Sequence, residues 1–187
     1  MKYNSQICRR KSIRIKNYDY SQNGAYFVTI CAQNRACLFG KIKKGKMILN
    51  NFGKIAHREL QKTAEIRKNV SVFCFVVMPN HIHAVFVIDN GDNNCTGTDN
   101  NCTGTARRAP TREQFGKPTK NSIPTIVRGY KSAVTKHINE LRKTPKSPVW
   151  QRNYHEHIIR NEKTFAMICD YIFHNPEKWR DDKFFSL

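Results

Sequence analysis

The stretch Phe73–Ile88, FCFVVMPNHIHAVFVI, constrains the fold of this chain more than any other part of the sequence. Two apolar runs flank a Pro-Asn dipeptide, in which proline fixes φ and asparagine tolerates left-handed conformations. The sequence therefore predicts a central hairpin with strands at 70–78 and 83–88. Because strand residues alternate between faces, His81 and His83 project from one side of the extended chain. Two imidazoles on one face can begin a metal site, but they do not define one.

Helical periodicity marks three further segments of the chain. Apolar residues recur at helical spacing in 50–68, 122–141 and 161–175, and asparagines stand at the predicted N-caps of the first and last segments. Outside these helices, residues from Gly24 to about 33 predict a strand, and residues 41–49 predict a turn followed by a short strand. The segment 149–159 is predicted to be a short strand or an extended segment.

Charge indicates the class of partner. The 187 residues contain 33 Lys and Arg against 14 Asp and Glu, a formal net charge of +19. Such an excess repels itself in the folded state unless a polyanion binds, which favours nucleic acid. The sequence contains no signal peptide, no run as long as a membrane span and no basic amphipathic helix, so no membrane partner is expected. We therefore expect a cytoplasmic, nucleoid-associated protein whose seven cysteines, which form no CxxC pair, are reduced thiols.

One domain spanning 21–187 is expected, preceded by a basic arm and interrupted by a polar insert. Residues 1–20 form a basic arm, which is either a solvated tail or an arm that contacts phosphates and base edges. Its candidate DNA-binding residues are Arg9, Arg10, Lys11, Arg14 and Lys16. The segment 89–121 contains the heptad DNNCTGT twice, and two polar heptads cannot bury a core. We interpret it as a flexible insert.

The last predicted helix contains a candidate nucleophile and a candidate metal ligand. Tyr171 and Asn175 are four residues apart, so they lie on one flank of that helix, beside its apolar stripe. A tyrosine hydroxyl can be a nucleophile, and an amide oxygen can be a metal ligand. If this helix crosses the face that carries His81 and His83, the site combines two imidazoles, an amide oxygen and a phenol. A hard or borderline divalent ion, Mg²⁺ or Mn²⁺, would suit that set and leave positions for phosphate oxygens.

The residues alone leave alternatives open. Buried histidines satisfied by hydrogen bonds are more common than histidine ligands, and Tyr171 could be a core aromatic residue with its hydroxyl at the rim. Tyr130 is a competing nucleophile on a basic helix. His155 and His157 form a second His-x-His pair that could bind metal, but it lacks apolar flanks on both sides, which favours a DNA-contacting or structural role. Trp150 is either a core residue or a base-stacking platform. The candidate phosphate contacts of this region are Arg128, Lys131 and Arg152.

Four sequence segments, which together cover essentially the whole chain except the heptad insert, resemble a known family. In order, they are SIRIKNYDYSQNGAYFVTICAQNR, VVMPNHIHAVFVI, VWQRNYHEHIIRNEKTF and DYIFHNPEKW. Together they resemble the REP-associated tyrosine transposases, which are single-tyrosine HUH nucleases. The resemblance implies an α+β fold, with helices packed on a central antiparallel sheet of the ferredoxin-like HUH endonuclease type. It also implies that His81 and His83 are the metal-binding HUH pair, Tyr171 the catalytic tyrosine and Asn175 a further ligand.

The activity implied by this resemblance is metal-dependent cleavage and rejoining of single-stranded DNA beside REP-like hairpins. The expected intermediate is a 5′-phosphotyrosine, the basic arm would read a short sequence beside the hairpin, and the protein would act as a monomer or homodimer. One alternative is a domesticated module that binds DNA or RNA hairpins without chemistry. A histidine-metal hydrolase is the least favoured class, because Val85 occupies the third position of an HxHxH pattern.

Overall fold

The computed structural model describes Ile15, residues 18–91 and residues 119–185. These residues form a four-stranded antiparallel sheet, a separate two-stranded hairpin and three α-helices, which confirms the predicted α+β class. The elements are β1 (Gly24–Cys31), β2 (Gly40–Lys43), β3 (Lys46–Leu49), α1 (Asn51–Ile66), β4 (Val70–Val77), β5 (His81–Ile88), α2 (Ile123–Leu141), β6 (His155–Ile159) and α3 (Glu162–His174). Short 3₁₀ turns lie at Gln33–Arg35 and Trp179–Asp181.

The main sheet has the strand order β4-β5-β1-β6, and β4 and β5 form the predicted hairpin. Strand β5 is almost entirely buried, as expected for an apolar run in the middle of a sheet. It begins at His81, two residues earlier than the sequence predicted, because His81 pairs with Cys31 of β1. In the next row of the same face, Thr29 of β1 stands opposite both His83 and His155.

Alternation along the strands divides the molecule into two layers. Helices α1 and α2 cover one face of the sheet, where Tyr26, Ile82 and Phe86 belong to the larger core cluster. Helix α3 covers the other face, where a smaller cluster includes Val85 and Ile172. Since His81, His83 and Val85 share a face, α3 packs against the side of the sheet that carries the histidines.

Local sequence signals fix the ends of the helices. The Asn50 side chain accepts a hydrogen bond from the Gly53 amide (2.9 Å), and the Asn161 side chain accepts one from the Thr164 amide (2.8 Å), so both caps occur as predicted. Gly53 is required where α1 begins, because a Cβ there would lie 2.1 Å from the Phe39 carbonyl oxygen. Pro176 follows the C-cap of α3.

Some sequence predictions fall outside the described residues. The five basic residues proposed for the arm and both DNNCTGT repeats lie there. The described end of that arm packs on the domain, since Tyr20 is buried in the larger core cluster and its carbonyl accepts a hydrogen bond from the Ile123 amide. Within the described ranges, no helix is both long and apolar enough to cross a membrane. The described cysteines, Cys31, Cys37, Cys74 and Cys169, have free thiols.

Candidate active site

The two histidines of β5 form a buried pair. Their rings are essentially inaccessible to solvent, and their Nε2 atoms lie 3.0 Å apart. Burial lowers the pKa of His81 to about 4, although the carboxylate of Asp182 opposes the shift. Burial, together with His81 and Lys183, lowers the pKa of His83 well below its usual value. Both imidazoles are therefore neutral near pH 7, and neutral imidazole is the form that binds metal ions.

Hydrogen bonds fix the orientation of both rings. The Asn80 amide nitrogen donates to the carbonyls of Arg35 and Phe184, so its oxygen faces His81 Nδ1 at 2.8 Å and can only accept. The His81 proton consequently lies on Nδ1, and His81 Nε2 accepts from His83 Nε2. His83 Nδ1 then accepts from the Thr29 hydroxyl at 2.8 Å. Because a hydroxyl can also accept, Thr29 permits the other His83 tautomer, in which Nε2 is free to bind a metal ion.

Helix α3 brings Tyr171 to this pair. The phenol oxygen lies 3.3 Å from His83 Nε2, and the hydroxyl donates to Asp182 Oδ2, also at 3.3 Å. Phe27 packs edge-on against the tyrosine ring and stacks on His83. Burial and the Asp182 carboxylate raise the pKa of Tyr171 to about 12, so the phenol is protonated at neutral pH. The residue is 39% exposed, so helix α3 does not bury it fully against the sheet.

Asp182 is a member of the site that the sequence reasoning missed. Its side chain is 2% exposed, and Oδ2 lies 4.0 Å from His81 Nε2. The Asn175 amide donates to the same oxygen at 3.0 Å, and the Phe184 amide donates to Oδ1 at 2.7 Å. One ligand atom from each of His81, His83 and Asp182 lies within 4.8 Å of the others. The turn that follows α3 therefore contributes a carboxylate to the histidine pair.

The residues present fit a divalent cation. Two neutral imidazoles and a carboxylate are ordinary ligands for Mn²⁺ and related ions. Asn175 is 1% exposed, and its Oδ1 is a buried acceptor without a hydrogen-bond partner among the described residues. An orphaned buried carbonyl costs free energy unless something pairs with it, and a cation would do so. Asn175, predicted as a ligand, therefore lies beside the triad with an unused oxygen.

The other predicted residues are distributed around the fold. Tyr130, the competing nucleophile, is buried in the larger core, where its hydroxyl donates to the Ala56 carbonyl. Arg128 is exposed on α2, and Arg152 is exposed before β6. The ammonium of Lys131 instead donates to the carbonyls of residues 151, 152 and 153, and burial lowers its pKa to about 8. Trp150 is 6% exposed and belongs to the core.

The second His-x-His pair occupies the edge strand β6. His155 and His157 are exposed, and their partners in β1 are Thr29 and Phe27. Directly opposed residues in an antiparallel pair share a face, so both histidines lie on the face that carries His83. Neither belongs to the triad, which is the one group of three potential metal ligands found in the described part of the chain.

Two of the missed residues had a signal in the sequence. Asn80 directly precedes the His-x-His pair, and Asp182 is the second of two adjacent aspartates in the charged segment after α3. The reason given for Asn80 was wrong, because it is not among the residues with positive φ and its side chain instead orients His81. Thr29 had no local signal, since its contact with His83 depends on the pairing of β1 with β5.

Comparisons with known proteins place the chain among relatives with transposase names. No protein-family model matches it. An uncharacterized protein of Haemophilus influenzae is 38% identical over 186 residues, which cover 98% of this chain and 97% of the relative. A second Haemophilus influenzae protein, named "Putative REP-associated tyrosine transposase", is 26% identical over 88% of this chain and 77% of its own length. A REP-associated tyrosine transposase of Escherichia coli is 21% identical over 85% of this chain and 70% of its own length.

A solved structure shares the fold. It is a REP-associated tyrosine transposase bound to a REP hairpin, and it superposes with a TM-score of 0.57 at 20% sequence identity. The match covers 89% of this chain and 74% of that protein. At this level of identity the comparison shows a common fold, an antiparallel sheet with packed helices, which agrees with the architecture predicted from the sequence.

Proposed function

Since the chain belongs to one family with the uncharacterized Haemophilus influenzae protein, and more distant relatives carry transposase names, we propose that it is a REP-associated tyrosine transposase. It would cleave and rejoin single-stranded DNA beside REP-like hairpins. The observation that carries the proposal is the position of the Tyr171 hydroxyl, 3.3 Å from both a neutral histidine and a carboxylate. A nucleophile needs this contact with a group that can accept its proton.

The proposed reaction replaces one phosphodiester with another. The Tyr171 oxygen attacks the phosphorus, the bond to the 3′ oxygen breaks, and a 5′-phosphotyrosine and a free 3′-hydroxyl result. The phenol proton goes to Asp182, which already accepts its hydrogen bond, and the departing 3′ oxygen takes its proton from water. Because the bonds broken and formed are alike, the step can reverse onto a different 3′-hydroxyl without ATP.

His81, His83 and Asp182, with Asn175 beside them, would hold the ion. A bound Mg²⁺ or Mn²⁺ supplies a Lewis acid that withdraws charge from the scissile phosphate. The protein's own contribution is to keep both imidazoles neutral and oriented and to hold the phenol against them. Thr29 and Asn80 orient the two imidazoles through their hydrogen bonds to His83 and His81. The edge-on packing of Phe27 against Tyr171 helps to hold the phenol beside the histidines.

Charge supports single-stranded DNA as the substrate. The net charge of +19 favours a polyanionic partner, and the solved protein that shares this fold is bound to a REP hairpin. We propose that the basic arm, with Arg9, Arg10, Lys11, Arg14 and Lys16, contacts the sequence beside the hairpin. The exposed Arg128 and Arg152 are proposed phosphate contacts.

A covalent-adduct assay tests this function. The protein is incubated with single-stranded hairpin DNA and Mg²⁺ or Mn²⁺, and the denatured products are separated by electrophoresis. We expect a protein–DNA adduct that Tyr171→Phe abolishes. Tyr130→Phe is the matched control, since it removes one buried phenolic hydrogen bond on the opposite face of the sheet and should keep the adduct. Hairpin binding without an adduct under any metal would show a non-catalytic binding module, and an adduct that persists in Tyr171→Phe would refute the assigned nucleophile.

A further inference from the structure

The chain departs from a regular ladder where β6 approaches the active-site end of β1. Thr29 pairs with His155, so a continuous antiparallel ladder would pair Ala32 with Arg152. Ala32 instead pairs with Trp150 in an isolated bridge, and the Gln151 amide donates to the Cys31 carbonyl at 3.0 Å. Two extra residues therefore loop out of the edge between Trp150 and His155. Bulges of this kind at sheet edges re-aim side chains and are frequent beside active sites.

A half-buried lysine from α2, Lys131, holds this bulge in place. Lys131 Nζ donates to the carbonyls of Gln151 (2.5 Å), Arg152 (3.3 Å) and Asn153 (3.4 Å). These carbonyls have left the ladder, and the ammonium compensates for the partners that they would have had there. The wall of the bulge is consequently fixed by main-chain atoms, and the side chains at 151 and 153 are not needed to hold it.

The bulge encloses a small cavity on the edge of the site. Its volume is about 180 Å³, and it is lined by Cys31, Gln151, Asn153, Tyr154 and His155. This volume accommodates about six water molecules at ~30 Å³ each, enough for one heterocyclic ring system but too little for a base pair. The lining combines two amide side chains with a phenol and an imidazole.

The cavity adjoins the histidine pair. Cys31 stands opposite His81, and His155 lies in the same row of the sheet as His83, separated from it only by Thr29. Two strand spacings of about 4.8 Å put the Cα atoms of His83 and His155 roughly 10 Å apart. A nucleotide whose phosphate reached the histidine pair could therefore place a neighbouring base in the cavity.

We propose that the bulge at 151–154 forms a pocket for one unpaired nucleobase next to the scissile phosphate, with Lys131 as the residue that positions its wall. The proposal rests on the proposed function for its substrate. Asparagine and glutamine amides can pair with the donor and acceptor edge of a base, and aromatic rings stack on its face. The lining residues include no carboxylate, and the chain as a whole is strongly basic, so a DNA strand can approach.

A selection experiment measures whether the pocket reads a base. The probe is a pool of single-stranded hairpin oligonucleotides with randomised unpaired flanks, bound to the full chain carrying Tyr171→Phe so that no cleavage occurs. Sequencing the bound fraction should show a preference at one flank position on the order of tenfold, typical of a base contacted by side-chain amides. Gln151→Ala with Asn153→Ala should abolish the preference at that position alone. Gln61→Ala, on the exposed side of α1, is the matched control and should retain it.

The positioning role of Lys131 has its own readout. Lys131→Met removes the ammonium that holds the three carbonyls, so we expect the same single position to lose its preference while the rest of the profile is kept. Thermal unfolding of each variant shows that the fold is intact. A structural role without a pocket would lower the melting temperature and leave the sequence profile unchanged, which would overturn the assignment.

The outcomes separate the pocket from the chemistry. An unchanged preference in the double alanine variant, or an equal loss of affinity for every sequence, would refute the base pocket even where the Tyr171 adduct forms. Loss of preference at one position supports the pocket even where no adduct forms, in which case only the proposed catalysis fails. An absence of binding to any single-stranded hairpin would overturn both.

Discussion

Replacing Thr29 with valine tests the orientation of the metal-binding histidines. Thr29 is 4% exposed, and its hydroxyl makes the 2.8 Å hydrogen bond to His83 Nδ1. Valine has nearly the same shape, so the variant removes this hydrogen bond without opening a large cavity. His83 Nδ1 is then left buried without its partner, and the ring loses the group that accommodates both tautomers.

Two magnitudes follow from this loss. An unsatisfied buried polar group costs about 1–3 kcal/mol, so the free energy of unfolding should fall by that amount. Loss of the hydrogen-bonding partner of a ligating histidine typically reduces metal affinity by about 10–100-fold, which is roughly 1.4–2.7 kcal/mol. The adduct yield at limiting metal concentration should fall in parallel with the affinity.

The assay is calorimetric titration of the chelator-treated protein with Mn²⁺, combined with urea unfolding. Thr63→Val is the matched control, because Thr63 is also 4% exposed and its hydroxyl donates to the Glu59 carbonyl at 2.9 Å within α1. We expect that control to lose about 1 kcal/mol of stability and to bind Mn²⁺ as the wild type does. Equal Mn²⁺ affinity in Thr29→Val and the wild type would refute the role of this hydrogen bond, as would an equal loss in Thr63→Val.

Two further predictions concern protonation and the third ligand. Because the pKa of His81 is about 4 when folded against about 6.5 when unfolded, the unfolded state binds more protons between these values, so the metal-free protein should lose about 3 kcal/mol of stability as the pH falls from 6.5 to 4. His81→Gln should lose less over the same range in urea unfolding, and identical pH profiles would contradict the buried neutral imidazole. Asp182→Asn should weaken Mn²⁺ binding on the order of tenfold, whereas Asp181→Asn, the exposed neighbour, should not. Equal affinities in these two variants would exclude Asp182 as a ligand.

The parts of the fold that sequence could predict are those set by local periodicity. The β4–β5 hairpin follows from two apolar runs around a turn, and the shared face of His81 and His83 follows from strand alternation. Helical spacing likewise indicated that Tyr171 and Asn175 share a flank of α3. These features need only a few neighbouring residues, so no knowledge of tertiary contacts was required.

The features that escaped prediction depend on contacts between distant segments. Asp182 reaches the histidines because the turn after α3 is tied to β5 through the hydrogen bond from the Asn80 side chain to the Phe184 carbonyl (2.7 Å). Lys131 was predicted as a phosphate contact from its charge and helix position, whereas its ammonium is engaged by carbonyls twenty and more residues away. Neither the turn nor the edge bulge has a periodic signature, and both are defined only when the sheet is assembled.

The electrostatics of Asn175 and Asp182 link the predicted ligand to the one found in the structure. The Asp182 carboxylate attracts the amide nitrogen of Asn175, which donates to it at 3.0 Å and leaves Asn175 Oδ1 without a hydrogen-bond partner among the described residues. The opposite amide orientation would bring Asn175 Oδ1 against the Asp182 carboxylate. Two such oxygens repel each other, but a cation bound between them would make this arrangement favourable. A divalent ion would thus reverse the preference that the carboxylate imposes and give the buried amide oxygen a partner. Asn175 and Asp182 would therefore be complementary rather than competing ligands for such an ion.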